Sequence, residues 1–313
     1  MRKKTILCVD TGIDDALAIA YALASPELDL IGICVSYGMA PVPNTYSNTK
    51  KLVNLLGKDI NVYMGTSAPL ERERKYSGNF HGLNGLANLE VEDFSSEGTL
   101  EESITFINES IRKYGKDLQI ITTGPLTDIA KVVMTFPEST SLLGKLICMA
   151  GAAITPGNSN LYAEANVFID PEAAKICFES DMNITMVGLD VTRKTLLTQK
   201  ELDLWKSFNT PQSNLFYEIV SFYLGAYKKY HPYLAGCALH DPLAVGVGIN
   251  PNFIKTIPMN ITVITEGEAT GKTLENISKI DKSPNTNIAL EVNSGAFMND
   301  FYSKVNSILK KVN

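Results

Sequence analysis

The chain has 313 residues, of which 45% are hydrophobic, and a formal net charge of −6. This length suits one large α/β domain, and an acidic chain without a basic block argues against nucleic acid as a partner. No stretch reaches the roughly 20 apolar residues of a membrane span, and no apolar segment of signal-peptide length follows the first four residues, so we expect no membrane partner. Five scattered cysteines without a Cys-x-x-Cys pair indicate a reducing compartment, and we expect a cytoplasmic protein.

Strand and helix patterns alternate along the chain. Strands are predicted over 5–9, 28–36, 60–64, 118–121, 146–150, 184–189, 253–264 and 289–292. Helices are predicted over 16–24, 44–56, 99–114, 198–226 and 295–312, and also from Pro125, from Asp170 and after Gly236. This alternation predicts an α/β fold with a central, mostly parallel sheet flanked by helices. Because no repeat or linker interrupts it, residues 1–313 are predicted to form a single domain.

Three carboxylates lie at the turn between the first strand and the first helix. They belong to Asp10, Asp14 and Asp15, and Gly12 allows the backbone to turn sharply between them. Unpaired carboxylates repel one another and are costly to bury, so the cluster suits a hard cation with oxygen ligands. The alternative is ordinary capping of the helix N-terminus, where aspartate is common.

Other polar residues follow the remaining strands. Tyr37, Thr123 and the loop over 151–166 come after the second, fourth and fifth strands. In parallel sheets, ligands bind beyond the carboxyl ends of the strands, so these residues and Asp10 are expected to converge at one edge. Within the loop, Asn158, Glu164 and Asn166 suit recognition of a polyhydroxyl ligand, although taken alone such residues are more often explained by turn chemistry.

Two further stretches carry possible chemistry. His240-Asp241 precedes a helix, where the pair serves either as a cap or, through the histidine, as a general acid. The irregular stretch over 65–97 is long enough to be functional or mobile, and it contains His81. By contrast, Gly267-x-x-x-Gly271-Lys-Thr has one residue too few for a phosphate loop and is predicted to be a polar hairpin.

Together these motifs resemble the inosine-uridine preferring nucleoside hydrolases. That family opens with Asp-x-Asp-Pro-Gly-x-Asp-Asp, which here reads Cys8-Val-Asp-Thr-Gly-Ile-Asp-Asp15. The resemblance continues, in order along nearly the whole chain, through His81-Gly-Leu-Asn-Gly-Leu86, Thr123-Gly-Pro-Leu-Thr127, the 158–166 loop with Asp170-Pro-Glu-Ala-Ala174, and His240-Asp-Pro242.

The resemblance implies Ca²⁺-dependent hydrolysis of the N-glycosidic bond of ribonucleosides to free base and ribose, as in nucleoside salvage. The implied calcium ligands are Asp10, Asp15, Asp241 and the carbonyl of Thr123. The implied substrate ligands are Asp14 and Asn166 on the ribose 2′- and 3′-hydroxyls, Asn158 and Glu164 on the 5′-hydroxyl, and His81 closing over the substrate.

The resemblance also implies the chemistry. Water activated by the cation would attack the anomeric carbon with Asp10 as general base, through a transition state resembling an oxocarbenium ion. His240 would protonate or hydrogen-bond the departing base, assisted by one of Tyr227, Tyr230 and Tyr233. The family forms homodimers and homotetramers, so a homo-oligomer is implied. The preferred nucleobase stays open.

Three positions depart from the family pattern. Cys8 replaces an aspartate that supports the metal ligands, Thr11 replaces proline, and Met39 replaces an asparagine that orders the carboxylates and the ribose. Loss of such supporting hydrogen bonds typically costs about 10- to 100-fold in metal affinity or activity. The alternative to an active hydrolase is therefore a nucleoside- or ribose-binding homologue with little turnover. A phosphatase is weaker still, because no Lys or Arg lies in the first turn to bind phosphate.

Overall fold

The structure is a computed structural model that describes residues 2–311. The strands are β1 (Lys3–Val9), β2 (Leu28–Val35), β3 (Val62–Met64), β4 (Leu118–Thr122), β5 (Lys145–Cys148), β6 (Ile184–Met186), β7 (Leu196–Leu197), β8 (Cys237–Ala238), β9 (Ile254–Met259), β10 (Ile261–Val263), β11 (Thr273–Glu275) and β12 (Thr286–Val292). The helices are α1 (Ile13–Ala24), α2 (Val42–Leu55), α3 (Glu102–Tyr114), α4 (Thr127–Thr135), α5 (Pro137–Thr140), α6 (Ala165–Ile169), α7 (Pro171–Glu179), α8 (Leu189–Thr192), α9 (Gln199–Phe208), α10 (Pro211–Tyr230), α11 (His240–Ile249) and α12 (Ser294–Leu309).

The main sheet has the strand order β3-β2-β1-β4-β5-β6-β12-β9. Every neighbouring pair is parallel except β12 and β9, which are antiparallel. This confirms the predicted α/β fold with a mostly parallel sheet. The strand order reverses between β1 and β4, and such a switch point opens a crevice at the carboxyl ends of the two strands.

Helices cover both faces of the sheet. On one face α1 packs against α11 and α12, and on the other α4 packs against α3 and α7. Helix α11 is buried along its whole length, because the residues that follow Asp241 are apolar and many of them are small. A helix that is apolar on all sides is stable only inside the core, so the two polar residues at its start are carried inward with it.

Two predicted elements are each divided in the structure. The pattern over 198–226 forms α9 and α10 rather than one helix, because Asn209 takes a left-handed conformation at φ +52° and Pro211 starts the second helix. The pattern over 253–264 forms β9, which extends the main sheet, and β10, which belongs to a separate hairpin with β11. The fourth helix begins at Thr127, two residues after the predicted Pro125.

The remaining predictions concern loops and exclusions. The loop joining β10 to β11 contains Gly267 and Gly271, both at positive φ, so this stretch is a hairpin as predicted. The five cysteines are buried and unpaired. Within residues 2–311, no helix combines the length and the apolar character needed to cross a membrane.

Candidate active site

The β1–α1 turn forms one side of a cavity at the switch point. Asp10 follows β1, and Asp14 and Asp15 lie in the first turn of α1. The Gly12 N–H donates to Asp15 Oδ2 at 2.9 Å, and the Thr123 hydroxyl donates to Asp15 Oδ1 at 2.6 Å. The capping alternative is therefore correct for Asp15, but its carboxylate also links this turn to the end of β4.

Helix α11 brings a fourth carboxylate to the same place. One carboxylate oxygen from each of Asp14, Asp15 and Asp241 lies within 4.8 Å of the others, which makes the group a candidate metal site. These three residues and Asp10 are all buried. Asp14 and Asp241, which are 227 positions apart in sequence, thus meet because α11 runs through the core beside α1.

Asp10 is enclosed by main chain on both sides. A Cβ on Gly38 would lie 1.9 Å from Asp10 Oδ2, and one on Gly124 would lie 2.9 Å from the Asp10 Cβ, so both positions require glycine. The backbone N–H of Met39 donates toward the Asp10 carboxylate. Asp10 Oδ2 nevertheless has no hydrogen-bond partner among residues 2–311, although it is buried. A buried oxygen without a partner indicates a missing ligand.

The electrostatics of the cluster support a cation. Burial raises the pKa of Asp14 and of Asp15 to about 6. Burial and then the neighbouring carboxylates raise the pKa values of Asp10 and Asp241 well above the usual range. These carboxylates resist ionisation because they are buried and repel one another. A hard divalent cation would supply the compensating positive charge, and it prefers oxygen ligands of this kind.

Thr123 and Asn166 are held beside the carboxylates by main-chain contacts. The Thr123 N–H donates to the Cys8 carbonyl at 2.9 Å, and the hydroxyl that donates to Asp15 lies 3.2 Å from the same carbonyl. The amide of Asn166 donates to the Thr123 carbonyl at 2.6 Å and to the Met149 carbonyl at 3.0 Å. The carbonyl predicted as a metal ligand is thus oriented by a residue predicted as a ribose ligand.

Glu164 caps the short helix α6. Its carboxylate accepts the N–H groups of Asn166 and Val167 at 2.9 and 3.2 Å, and that of Gly151 at 3.0 Å. Burial raises its pKa to about 7 against these stabilising bonds. Asn158 lies in the preceding loop, exposed at the rim of the cavity.

Helix α8 supports the loop that carries Asn158. Asp190 accepts the N–H groups of residues 153–155 at 2.8–2.9 Å. Arg193 donates to the carbonyls of Pro156 and Gly157 at 2.9 and 2.8 Å. Both residues were absent from the sequence predictions, because a supporting role at a distance from the motif leaves no local signal.

His81 lies over the start of α1. Its Nδ1 accepts the Ile13 N–H at 3.0 Å and is 3.8 Å from Asp14 Oδ1. Burial lowers its pKa to about 4, so the ring is neutral and carries its proton on Nε2. The side chain therefore also anchors the loop that precedes α3, because it binds the N-terminus of α1 directly.

His240 is bonded to the protein through both ring nitrogens. Nε2 is 2.8 Å from the Tyr227 hydroxyl, and Nδ1 is 2.7 Å from the Thr192 hydroxyl. Burial lowers the pKa of His240 to about 3, so the ring is neutral near pH 7. Of the three candidate tyrosines, Tyr227 lines the cavity, whereas Tyr230 and Tyr233 are 40% and 75% exposed.

Aromatic side chains that the sequence analysis did not identify complete this end of the cavity. The Phe80 ring is 5.6 Å from the Tyr227 ring, and the Tyr223 ring is 5.2 Å from the His81 ring. Tyr223 and Tyr227 are four residues apart on α10, a helical spacing that is visible in the sequence. For Phe80, the sequence feature that could have identified it is its position directly before His81.

The cavity has a volume of about 390 Å³, within the usual size range of small-molecule sites. All the predicted site residues line it, namely Asp10, Asp14, Asp15, His81, Thr123, Asn158, Glu164, Asn166, His240 and Asp241. Arg74, which was not predicted, lines it as well. One end of the cavity is acidic and the other is aromatic.

Known proteins with the same architecture are nucleoside hydrolases. The pyrimidine-specific ribonucleoside hydrolase RihA of Shigella boydii is 31% identical over 296 residues, which are 94% of this chain and 95% of that protein. The purine-preferring ribonucleoside hydrolase of Gardnerella vaginalis has a TM-score of 0.95 at 39% identity, over 98% of this chain and 99% of that one. A plant nucleoside hydrolase has a TM-score of 0.91 at 28% identity, over 97% and 99%.

The family model described as inosine-uridine preferring nucleoside hydrolase matches residues 5–299. This range includes every residue of the acidic cluster and of the aromatic end. The match also agrees with the metal-compatible carboxylates at the switch point, since the family is metal-dependent. The chain therefore belongs to the inosine-uridine preferring nucleoside hydrolase family, the enzymes that hydrolyse the N-glycosidic bond of ribonucleosides.

Proposed function

We propose that this chain hydrolyses the N-glycosidic bond of ribonucleosides in a calcium-dependent reaction that releases free base and ribose. The observation that carries the proposal is the unpartnered, buried Oδ2 of Asp10 beside three further buried carboxylates. Such an arrangement is costly without a cation, and oxygen-only donors of this kind are the ligands that calcium prefers.

Asp10, Asp15, Asp241 and the Thr123 carbonyl would hold the cation. When bound, it would lower the pKa of a nearby water and fix the ribose hydroxyls. The remaining lone pair of the Thr123 carbonyl is available because the Asn166 amide uses only one. Asp14 and Asn166 then face the ribose 2′- and 3′-hydroxyls, while Glu164 and Asn158 face the 5′-hydroxyl.

Asp10 is suited to act as the general base. Its Oδ2 has no competing donor within residues 2–311, so it is free to accept a proton from the attacking water. The surrounding carboxylates favour the positive charge that develops on the ribose as the base departs. The acidic end of the cavity is thereby matched to the transition state rather than to the neutral nucleoside.

The departing base would be protonated through Tyr227. The neutral His240 accepts a hydrogen bond from Thr192 at Nδ1 and donates from Nε2 to the Tyr227 oxygen, which leaves the Tyr227 O–H free to donate to the base. As the glycosidic bond breaks, the Tyr227 proton passes to the base, and the His240 Nε2–H stays on the ring and hydrogen-bonds the tyrosinate oxygen that forms. Tyr227 is then the acid, and His240 supports it rather than giving up a proton itself.

The relatives bracket the possible nucleobases, since one is named pyrimidine-specific and another purine-preferring. The assay therefore includes both purine and pyrimidine nucleosides. Ribose release is measured from inosine, adenosine, uridine and cytidine, first with Ca²⁺ and then after exhaustive chelation. We expect release that chelation abolishes and that returns when Ca²⁺ is added back.

Two results would contradict the proposal. Ribose release that continues after chelation would show that the reaction does not depend on a cation. Nucleoside binding by calorimetry without any release would identify the alternative, a binding homologue in which Cys8 and Met39 have removed turnover. We also propose a cytoplasmic location, from the scattered unpaired cysteines, and a homodimer or homotetramer, from the family resemblance. Cell fractionation and light scattering on the purified protein test these two proposals separately.

A further inference from the structure

Arg74 lies in the loop before α3 and lines the acidic end of the cavity. Its Nε donates to the Gly38 carbonyl at 3.0 Å, and its guanidinium lies 5.0 Å from the centre of the Tyr76 ring. A further guanidinium N–H donates to the Lys75 carbonyl. These contacts fix the side chain, which is only partly exposed, in one orientation.

The residue that Arg74 binds is the one packed on Asp10. Gly38 approaches Asp10 Oδ2 so closely that no side chain fits between them. Asp10 and Arg74 interact through their opposite charges. Arg74 therefore contacts the residue that packs on Asp10 and attracts the Asp10 carboxylate by its charge, without a hydrogen bond to Asp10 Oδ2 within residues 2–311.

Residue 39, which follows Gly38, explains why Asp10 needs support from another side chain. Met39 stands where the family resemblance implies an asparagine that orders the carboxylates, and a thioether cannot donate a hydrogen bond. In this chain the Met39 N–H supplies a donor from the main chain, but the side-chain donor is absent. Arg74 occupies the same neighbourhood, approaching from a different segment of the chain.

We propose that Arg74 is a positioning residue for Asp10, replacing from the loop the asparagine side chain that residue 39 lacks. The proposal rests on the proposed function, in which Asp10 is the general base. Arg74 orients the Asp10 carboxylate and offsets part of the charge of the four-carboxylate cluster. A fixed guanidinium suits this role, because it keeps its charge at every physiological pH.

Steady-state kinetics with inosine and uridine on four variants test the proposal. Arg74→Met is expected to lower kcat by about 10- to 100-fold, the usual effect of losing a supporting residue, with KM changed less than about threefold. Arg74→Lys keeps the charge and is expected to retain most of kcat. Adding Met39→Asn to Arg74→Met is expected to raise kcat at least about tenfold above that of Arg74→Met alone. Arg72→Met is the control, since Arg72 belongs to the same loop but pairs with Glu172 outside the cavity.

Calcium titration calorimetry provides a second measurement that does not depend on turnover. Removing a positive charge beside the carboxylates is expected to tighten Ca²⁺ binding several-fold in Arg74→Met and to leave it unchanged in Arg74→Lys. A purely structural role would instead weaken calcium binding and lower kcat together, and this outcome would overturn the proposal. If Met39→Asn restores no activity to Arg74→Met, the claim that Arg74 replaces the missing asparagine side chain is wrong.

The two proposals fail in different ways. If the wild-type chain releases no ribose, the proposed function is wrong, and the calcium titration alone decides whether the Arg74 charge acts on the Asp10 cluster. If the wild type is active and Arg74→Met is equally active with unchanged calcium affinity, the proposed function stands and the role of Arg74 is rejected.

Discussion

The two ends of the cavity are built in different ways. The acidic end consists of residues at the ends of β1 and β4 and the starts of α1 and α11, held largely by main-chain groups. The aromatic end consists of side chains from α10 and from the loop before α3, which contact one another through rings. The first end depends on the sheet, and the second depends on how two peripheral segments pack.

This difference separates what is common to the family from what can vary. Strand ends at a switch point are fixed by the whole sheet, so the chemistry placed there is hard to change without changing the fold. Helix side chains and loop residues can be replaced singly. Two relatives in this family are named for opposite base classes, one pyrimidine-specific and one purine-preferring.

The largest effect is expected from the acidic end. Asp10→Asn removes the proposed general base and is expected to lower kcat by at least about 10³-fold. Without Ca²⁺ the variant is expected to melt at a higher temperature than the wild type, because one of four crowded carboxylates has become neutral. Ribose release and thermal unfolding of the chelated protein measure the two effects. Near-normal turnover would show that Asp10 is not the base.

The aromatic end is tested with Tyr227→Phe, which keeps the ring and removes the proposed proton donor. We expect kcat to fall about 10²-fold with inosine, within the usual range for a general acid. With p-nitrophenyl riboside, whose leaving group needs no proton, kcat is expected to stay near that of the wild type. Tyr230→Phe is the matched control, because that tyrosine lies on the same helix outside the cavity. An equal loss on both substrates would contradict the role of Tyr227 as the proton donor.

Sequence reasoning anticipated the convergence of residues at the acidic end for physical reasons. A buried strand, a turn with three aspartates and an apolar helix are local features, and parallel strands place Asp10 and Thr123 at one edge wherever the helices pack. The partition of α9 and α10 was missed although Asn209 and Pro211 are visible, because the apolar periodicity continues across them.

The aromatic end was harder to predict. The selection of Tyr227 over Tyr230 and Tyr233 depends on the rotation of α10 about its own axis, which periodicity alone does not determine. Arg74 had no detectable signal, because a single arginine in an irregular loop belongs to no repeating pattern. Its contact with Gly38 depends on the path of that loop across the sheet edge.

A smaller effect is expected at Glu164, between the two ends. Its pKa is about 7 in the folded chain against 4.5 as the ordinary value, so between these pH values the folded state binds more protons than the unfolded state. Stability therefore falls as pH rises through this window, by about 3 kcal/mol in total, and levels off above it. Glu164→Gln removes this titration. The melting temperature of the wild type relative to the variant, measured in constant Ca²⁺, is expected to decline from pH 4.5 to 7. A difference independent of pH would contradict the raised pKa.

The smallest effect is expected at Cys8, where the family pattern has an aspartate. What residue 8 contributes to the site is its carbonyl, which accepts the Thr123 N–H and lies 3.2 Å from the Thr123 hydroxyl, and any side chain leaves that carbonyl in place. Cys8→Ala is therefore expected to change kcat and calcium affinity by less than about threefold and to cost about 1 kcal/mol of stability from lost packing. Kinetics, calcium calorimetry and urea unfolding measure these quantities. A tenfold loss of calcium affinity would show that the Cys8 thiol itself supports the ligands, and the acidic end would then depend on side chains as much as the aromatic end does.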